Sequence, residues 1–209
     1  MAASNDDARV VVFIDGQNLL NDARRAFCTR PFGPDAGQVN PMSLGRLLVS
    51  RQPVGSTRGR KLREVRIYRG RPDPRREPQT YSAHMRQCAA WEAAGATVIT
   101  RPLRYPRNWP KERAEEKGID VQIAIDMLMM AVRSELDVAV LVTTDTDLRP
   151  ALEAFHALPA EQSATIEVAA WRSPTCSKKL QVPGLHVWSH FLEVADYEAL
   201  HDSTDYNRP

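Results

Sequence analysis

Short apolar runs alternate with amphipathic segments along this chain. Residues 10–14 form a continuous β-branched and aromatic run, the pattern of a strand buried on both faces. Residues 17–27 follow with Leu19, Leu20, Ala23 and Phe27 on one apolar stripe, which predicts a helix. A Pro/Gly-rich excursion leads to a short helix at 41–49, an alternating strand at 64–69 and a helix at 79–94 closed by Gly95. Further strands are predicted at 96–100, 137–143, 165–169 and 186–189. A long helix occupies roughly 119–133, and another begins near Pro150, since proline is tolerated in a first turn. Strands alternating with helices in this way predict an α/β fold with a mainly parallel central sheet. Residues 9–197 make one domain, residues 1–8 a flexible N-terminus and residues 198–209 a C-terminal tail, of which residues 201–209 are expected to fray.

Three of these elements end or begin on aspartate. The segments are VVVFIDGQN, EKGIDVQIAID and AVLVTTDTDL. Strands of a parallel sheet converge at one edge, and ligands bind beyond their carboxyl ends, where Asp15 and Asp145 fall. Carboxylates gathered there repel one another unless a cation lies between them, and a hard divalent metal with oxygen ligands fits that need. Each acid also has a plainer reading. Asp15 before Gly16 suits a turn that caps the next helix, and an Asp or Thr cap serves the helix near Pro150. A cap explains one polar residue there, not the run from Thr143 to Asp147. Asp145 and Asp147 are two apart, which can put one on a metal and the other beside it. Asp120 lies in a first turn, where it complements the helix dipole. Asp126 stands among Ile123, Ile125, Met127 and Leu128, a setting read as mostly buried, where a charge is costly unless paired or metal-bound. At about 100° per residue, Asp120 and Asp126 face different directions.

Charge adds a second clue through its distribution. The formal net charge is only +2, but Arg and Lys crowd between Arg51 and Lys117. Residues 59–77 are dense in arginine, and in the loop before the long helix Arg101, Arg104, Arg107, Lys111 and Arg113 alternate with Tyr105 and Trp109. Cations interleaved with aromatics suit backbone contact and base stacking, as single-stranded nucleic acid requires; the plainer reading is a solvated basic surface with both rings packed under the loop. Cys28, Cys88 and Cys176 have neither disulfide-framework nor zinc-ligand spacing. The five histidines show no ligand spacing, and nucleophile-elbow, Walker and G-x-G-x-x-G motifs are absent. The first apolar run is too short for a signal or membrane helix, so a cytoplasmic protein that does not meet the membrane is expected.

FIDGQNLL, EKGIDVQIAIDMLMMA and VLVTTDTDLRPALEA together resemble the three signatures of the NYN domain, a branch of the PIN-like nucleases, in its bacterial LabA-like form. That resemblance implies a three-layer α/β/α PIN-like (Rossmann-like) domain and a metal-dependent endoribonuclease using Mg²⁺ or Mn²⁺. It implies Asp15, Asp120, Asp145 and Asp147 as cleft acids, with Asp126 able to replace or support Asp120 at the metal. Asn18 becomes the polar neighbour that orients a ligand or the scissile phosphate. RNA, preferably single-stranded, is then expected to meet Lys117, Arg101, Arg104, Tyr105, Arg107, Trp109, Lys111, Thr144 and Thr146; homodimerisation is left open. Thr144 stands where the family pattern has Gly, Thr146 where it has Ser, and Leu148 where it has Phe. The departure at Thr144 motivates an alternative, a catalytically weak module that binds RNA or a protein partner. A phosphotransferase of the haloacid-dehalogenase kind ranks lower, because position 17 is Gln where that chemistry wants a second Asp.

Overall fold

The computed structural model describes residues 7–159 and 164–208; residues 1–6 of the expected flexible N-terminus lie outside them. The first strand, β1 (Ala8–Asp15), runs through the middle of the molecule. Its side chains alternate between two layers, as the period of a strand demands. Val10, Val12 and Ile14 face one core, and Val11 and Phe13 face the other. All five are fully buried, which explains why this strand reads as an unbroken apolar run rather than an alternating one.

Around β1 the chain builds α1 (Gly16–Phe27), α2 (Pro41–Ser50), β2 (Arg60–Arg71), α3 (Pro78–Ala93) and β3 (Thr97–Pro102). It then crosses to the other side with α4 (Ile119–Val132), β4 (Val138–Val142), α5 (Arg149–His156), β5 (Thr165–Trp171), β6 (Trp188–Leu192) and α6 (Val194–Leu200). The strand order is β3-β2-β1-β4-β5-β6, and every pairing is parallel. The sheet predicted as mainly parallel is therefore wholly so. Leu19, Leu44, Leu48, Trp91 and Tyr197 pack on one face, and Ile123, Met127, Leu148 and Leu152 on the other, giving the three-layer α/β/α arrangement. The order of strands reverses between β1 and β4, so the crevice beyond their carboxyl ends is the topological switch point of the sheet. Ile14 pairs with Val142 there, and Asp15 and Thr143 leave the sheet side by side.

Several elements differ from those the sequence predicts. Strand β2 starts at Arg60 rather than 64; its first residues are charged, with Arg60 paired to Glu167 inside the fold while Lys61 and Arg63 are exposed, so no apolar pattern marks them. Strand β6 spans Trp188–Leu192 rather than 186–189. Helix α6 has no counterpart among the predicted elements, although Glu193 and Asp196 form a reciprocal capping box at its start. Among its described residues the tail beyond it is held in place: Asp202 N–H donates to Gln38 O, Gln38 Nε2 to Thr204 O, and Arg86 Nε and Nη2 to Tyr206 O at 2.9 and 2.7 Å. Helix α4 is also less buried than its composition suggests. Val121, Ile125, Met129 and Val132 are exposed, while Ile123, Met127 and Ala131 carry the packing.

Candidate metal centre

The chain leaves β1 through Asp15 and enters α1 at once. Asp15 caps that helix, its Oδ1 accepting from Asn18 N–H at 3.0 Å. Gly16 makes the exit fit. A Cβ there would meet the Tyr68 carbonyl oxygen at 2.9 Å and Arg69 Cγ at 2.7 Å. Gly16→Ala is therefore expected to push the start of α1 away from β2 and displace Asp15, with loss of both stability and activity; a melting curve and a cleavage assay on one preparation check this.

From β4 the chain turns through Thr143, Thr144 and Asp145. Thr143 Oγ1 donates to Asp15 Oδ2 at 3.2 Å and accepts from Asp145 N–H at 3.1 Å. One hydroxyl thus ties the two acid-bearing turns together. Asp145 caps the single 3₁₀ turn Thr146–Leu148 by accepting from Asp147 N–H at 3.0 Å. Asp120 arrives from the opposite layer in the first turn of α4, whose preceding Gly118 has a φ of 76° that suits glycine. One carboxylate oxygen from each of Asp15, Asp120 and Asp145 lies within 4.8 Å of the others.

That crowding shows in the titration of the group at its centre. Asp15 is 5% exposed. Burial pushes its carboxyl up to about 7 against the Asn18 hydrogen bond, and the charges of Glu116 and Asp120 push the same way. Asp120 is also raised, by burial first and then by Asp145 and Asp147. Negative charge held this close is relieved by a proton or by a cation.

The other residues singled out in the sequence fall in different places. Asp147 is exposed and outside the three-carboxylate cluster, adding only its field to Asp120. Asn18 uses its side-chain oxygen to accept Thr144 N–H at 2.9 Å, so it locks the β4 turn to α1. Thr144 Oγ1 reaches Asp22 Oδ2 at 2.7 Å. Among described residues other than glycine only Ser134 has positive φ, so the turn at Thr144 needs no glycine. Thr146 is exposed.

Asp126 is not among the acids brought together. It accepts from Arg66 Nη2 at 3.1 Å, Tyr68 Oη at 2.9 Å and Gln122 Nε2 at 2.8 Å. Three donors satisfy the charge that its apolar neighbours made costly.

Lys117 stands exposed just before α4, with no carboxylate in ion-pair range among the described residues. Arg101 donates to Gln122 Oε1 at 2.8 Å, and Arg104 bridges through its backbone to Glu115. Arg107 and Lys111 are exposed. Tyr105 and Trp109 follow the plainer reading. Tyr105 Oη accepts from Asp73 N–H at 2.9 Å and donates to Glu77, the two rings meet edge to face, and Arg76 covers both at 4.8 and 5.9 Å. The arginine-rich run 59–77 is likewise partly internal, with Arg60 paired to Glu167 and Arg66 to Glu64 and Asp126.

Two acids escaped the sequence reading. Asp22 is buried and holds Thr144, and Glu116 adds its charge to Asp15 while accepting from Gly70 N–H. Glu116 was legible as the carboxylate four residues before Asp120 in EKGID; Asp22, in the middle of a helix rather than at the end of an element, carried no such signal.

A crystal structure of a protein of unknown function from Vibrio parahaemolyticus shares the fold, with a TM-score of 0.56 at 15% identity, covering 93% of this chain and 96% of that one. No curated protein matches the sequence. The NYN domain model matches residues 9–181, a span that holds β1 from Arg9 onward, α4 and the β4 turn and so all three clustered aspartates. The chain belongs to the NYN domain family, and its fold is that of the PIN-like nucleases.

Proposed function

We propose that this protein is a metal-dependent endoribonuclease that hydrolyses single-stranded RNA, with Asp15, Asp120 and Asp145 holding Mg²⁺ or Mn²⁺. The observation that carries the reading is the convergence of these three carboxylates, within 4.8 Å, at the switch point of a parallel sheet. The donor set fits such an ion: all ligand atoms are hard oxygens, and the mutual repulsion that raises Asp15 is what a divalent cation removes. When bound, the ion supplies an activated water and a positive field for the phosphodiester.

The chain's own residues supply position. Thr143 and the Asn18 N–H fix the two oxygens of Asp15, and the 3₁₀ turn fixes Asp145. Asn18 and Asp22 hold the Thr144 turn between them, so both are positioning residues. Lys117 and Arg101 flank the start of α4 and offer cations to the strand's phosphates. Asp147 and Glu116 deepen the negative potential that draws the metal.

The test is incubation of the pure protein with labelled single-stranded RNA and with DNA of the same sequence, in Mn²⁺, Mg²⁺ or EDTA. Cleavage of RNA in Mn²⁺ or Mg²⁺ and none in EDTA is expected. RNA bound but left intact in every metal would favour the catalytically weak binding module. Asn18→Ala is expected to lower the rate about tenfold through the loosened turn, with RNA binding in EDTA unchanged.

A further inference from the structure

Beside the aspartate cluster lies a cavity of about 650 Å³ that the proposed mechanism does not use. Its wall includes Gly16, which directly follows Asp15, and Glu116, whose charge acts on Asp15. None of the three clustered aspartates lines the cavity, but these two wall residues bring it up to the proposed metal centre. Its volume is in the range of small-molecule sites, large enough for a nucleotide rather than a bare anion.

Its charge is lopsided. Arg24, Arg69 and Arg113 line it against the single carboxylate of Glu116, which is occupied by Gly70 N–H. His84, also in the wall, is pushed down to about 4 by burial and by the neighbouring arginines, so it adds no charge near neutrality. Arg69 is the telling residue. Its guanidinium donates to Gln87 Oε1 and lies 5.2 Å from the centre of the Trp91 ring. No carboxylate comes within ion-pair range of it among the described residues, unlike Arg60 and Arg66 on the same strand. A half-buried guanidinium without an anion is costly, and its planar donors match phosphate oxygens. Trp91 is 5% exposed, and its indole N–H has no acceptor among the described residues. The far wall is the C-terminal segment at Tyr206 and Asn207, held there by Arg86.

We propose that this cavity binds a nucleotide carrying a terminal phosphate, with Arg69 and Arg24 as its counter-charges, and thereby seats a phosphorylated RNA end beside the aspartate cluster. A terminal monoester carries more negative charge than an internal diester, and three guanidinium groups against one carboxylate favour it. The placement of an RNA end rests on the nuclease reading; the binding of the nucleotide does not.

Binding is therefore measured in EDTA, where no metal-dependent cleavage occurs. Isothermal titration of the full chain uses a six-residue oligoadenylate with a 5′-phosphate, with a 3′-phosphate or with hydroxyl ends, and adenosine monophosphate. At least one phosphorylated oligomer is expected to bind tenfold or more tighter than the hydroxyl form. That preference is expected to vanish in Arg69→Gln and to survive in part in Arg69→Lys. Should Arg69→Gln fail to fold, Arg24→Gln, at a partly exposed position, is expected to cut the preference several-fold. Tight binding of adenosine monophosphate without discrimination among the oligomers would support the nucleotide site and overturn its use for RNA ends. Equal binding of all four ligands, or a preference untouched by both substitutions, would overturn the proposal. Absence of cleavage in Mn²⁺ would overturn the nuclease reading alone and leave these isotherms as they are.

Discussion

Replacing Asp15 with asparagine is expected to stabilise the metal-free protein above pH 7 while removing its metal-dependent cleavage of RNA. The folded carboxyl is raised from 3.8 to about 7. A group raised in this way binds its proton more tightly folded than unfolded, so its contribution is full below pH 4 and is lost as pH rises through about 7. About three pKa units correspond to roughly 4 kcal/mol. The amide keeps an oxygen for Asn18 N–H and carries no charge to bury. Urea unfolding in EDTA at pH 5 and pH 8 checks this: wild type loses stability between the two, and Asp15→Asn holds most of it. Added Mn²⁺ is expected to restore wild type at pH 8 by binding only the folded state and to leave the variant unmoved. Cleavage by the variant falls by a hundredfold or more on the order of several kcal/mol of lost metal assistance. Gain of stability with loss of activity marks a site built for a ligand rather than for the fold.

The second large effect lies away from the site. Arg60 at the start of β2 pairs with Glu167 on β5, whose other oxygen is 2.8 Å from His190 Nε2 on β6. Arg60 and Glu167 side chains are 6% and 5% exposed. Burial opposes the Glu167 charge, yet His190 and Arg60 together hold its carboxyl below the usual range. A depressed acid stabilises above its unfolded pKa and loses that contribution as pH falls. Glu167→Ala leaves a guanidinium buried without an anion and is expected to cost roughly 3–5 kcal/mol, read as a lower urea midpoint at unchanged slope. Metal-dependent cleavage by the folded fraction is expected to stay at the wild-type rate, in contrast to Asp15→Asn.

These two acids also show what was legible in the chain. Asp15 could be read from the sequence because its strand is apolar from Val10 to Ile14 and stops at the carboxylate, so the sheet edge itself marks the site. Asp120 and Asp145 were legible for the same reason, each standing where an apolar element meets a turn. The direction of Asp126 was not. Its neighbours Ile125 and Met129 are exposed, and its partners Arg66 and Tyr68 come from a strand, 60 and 58 positions away respectively. The same long-range pairing absorbed Arg60 and Arg66, which in sequence look like cationic surface for nucleic acid. Tyr105 and Trp109 look like stacking platforms until Arg76, Asp73 and Glu77 are brought over them by the turn before α3. Apolar periodicity fixes elements locally, whereas the partner of a charge is set by which strands become neighbours.

The central claim is that Asp15, Asp120 and Asp145 form one divalent-cation site. It is tested most directly by titrating Mn²⁺ into the protein and following the free-ion signal by electron paramagnetic resonance. Wild type and Asp126→Asn are expected to show the same saturable binding, and Asp15→Asn, Asp120→Asn and Asp145→Asn are each expected to lose it. Binding that survives all three substitutions, or that is lost in Asp126→Asn while that variant remains folded, would contradict the account.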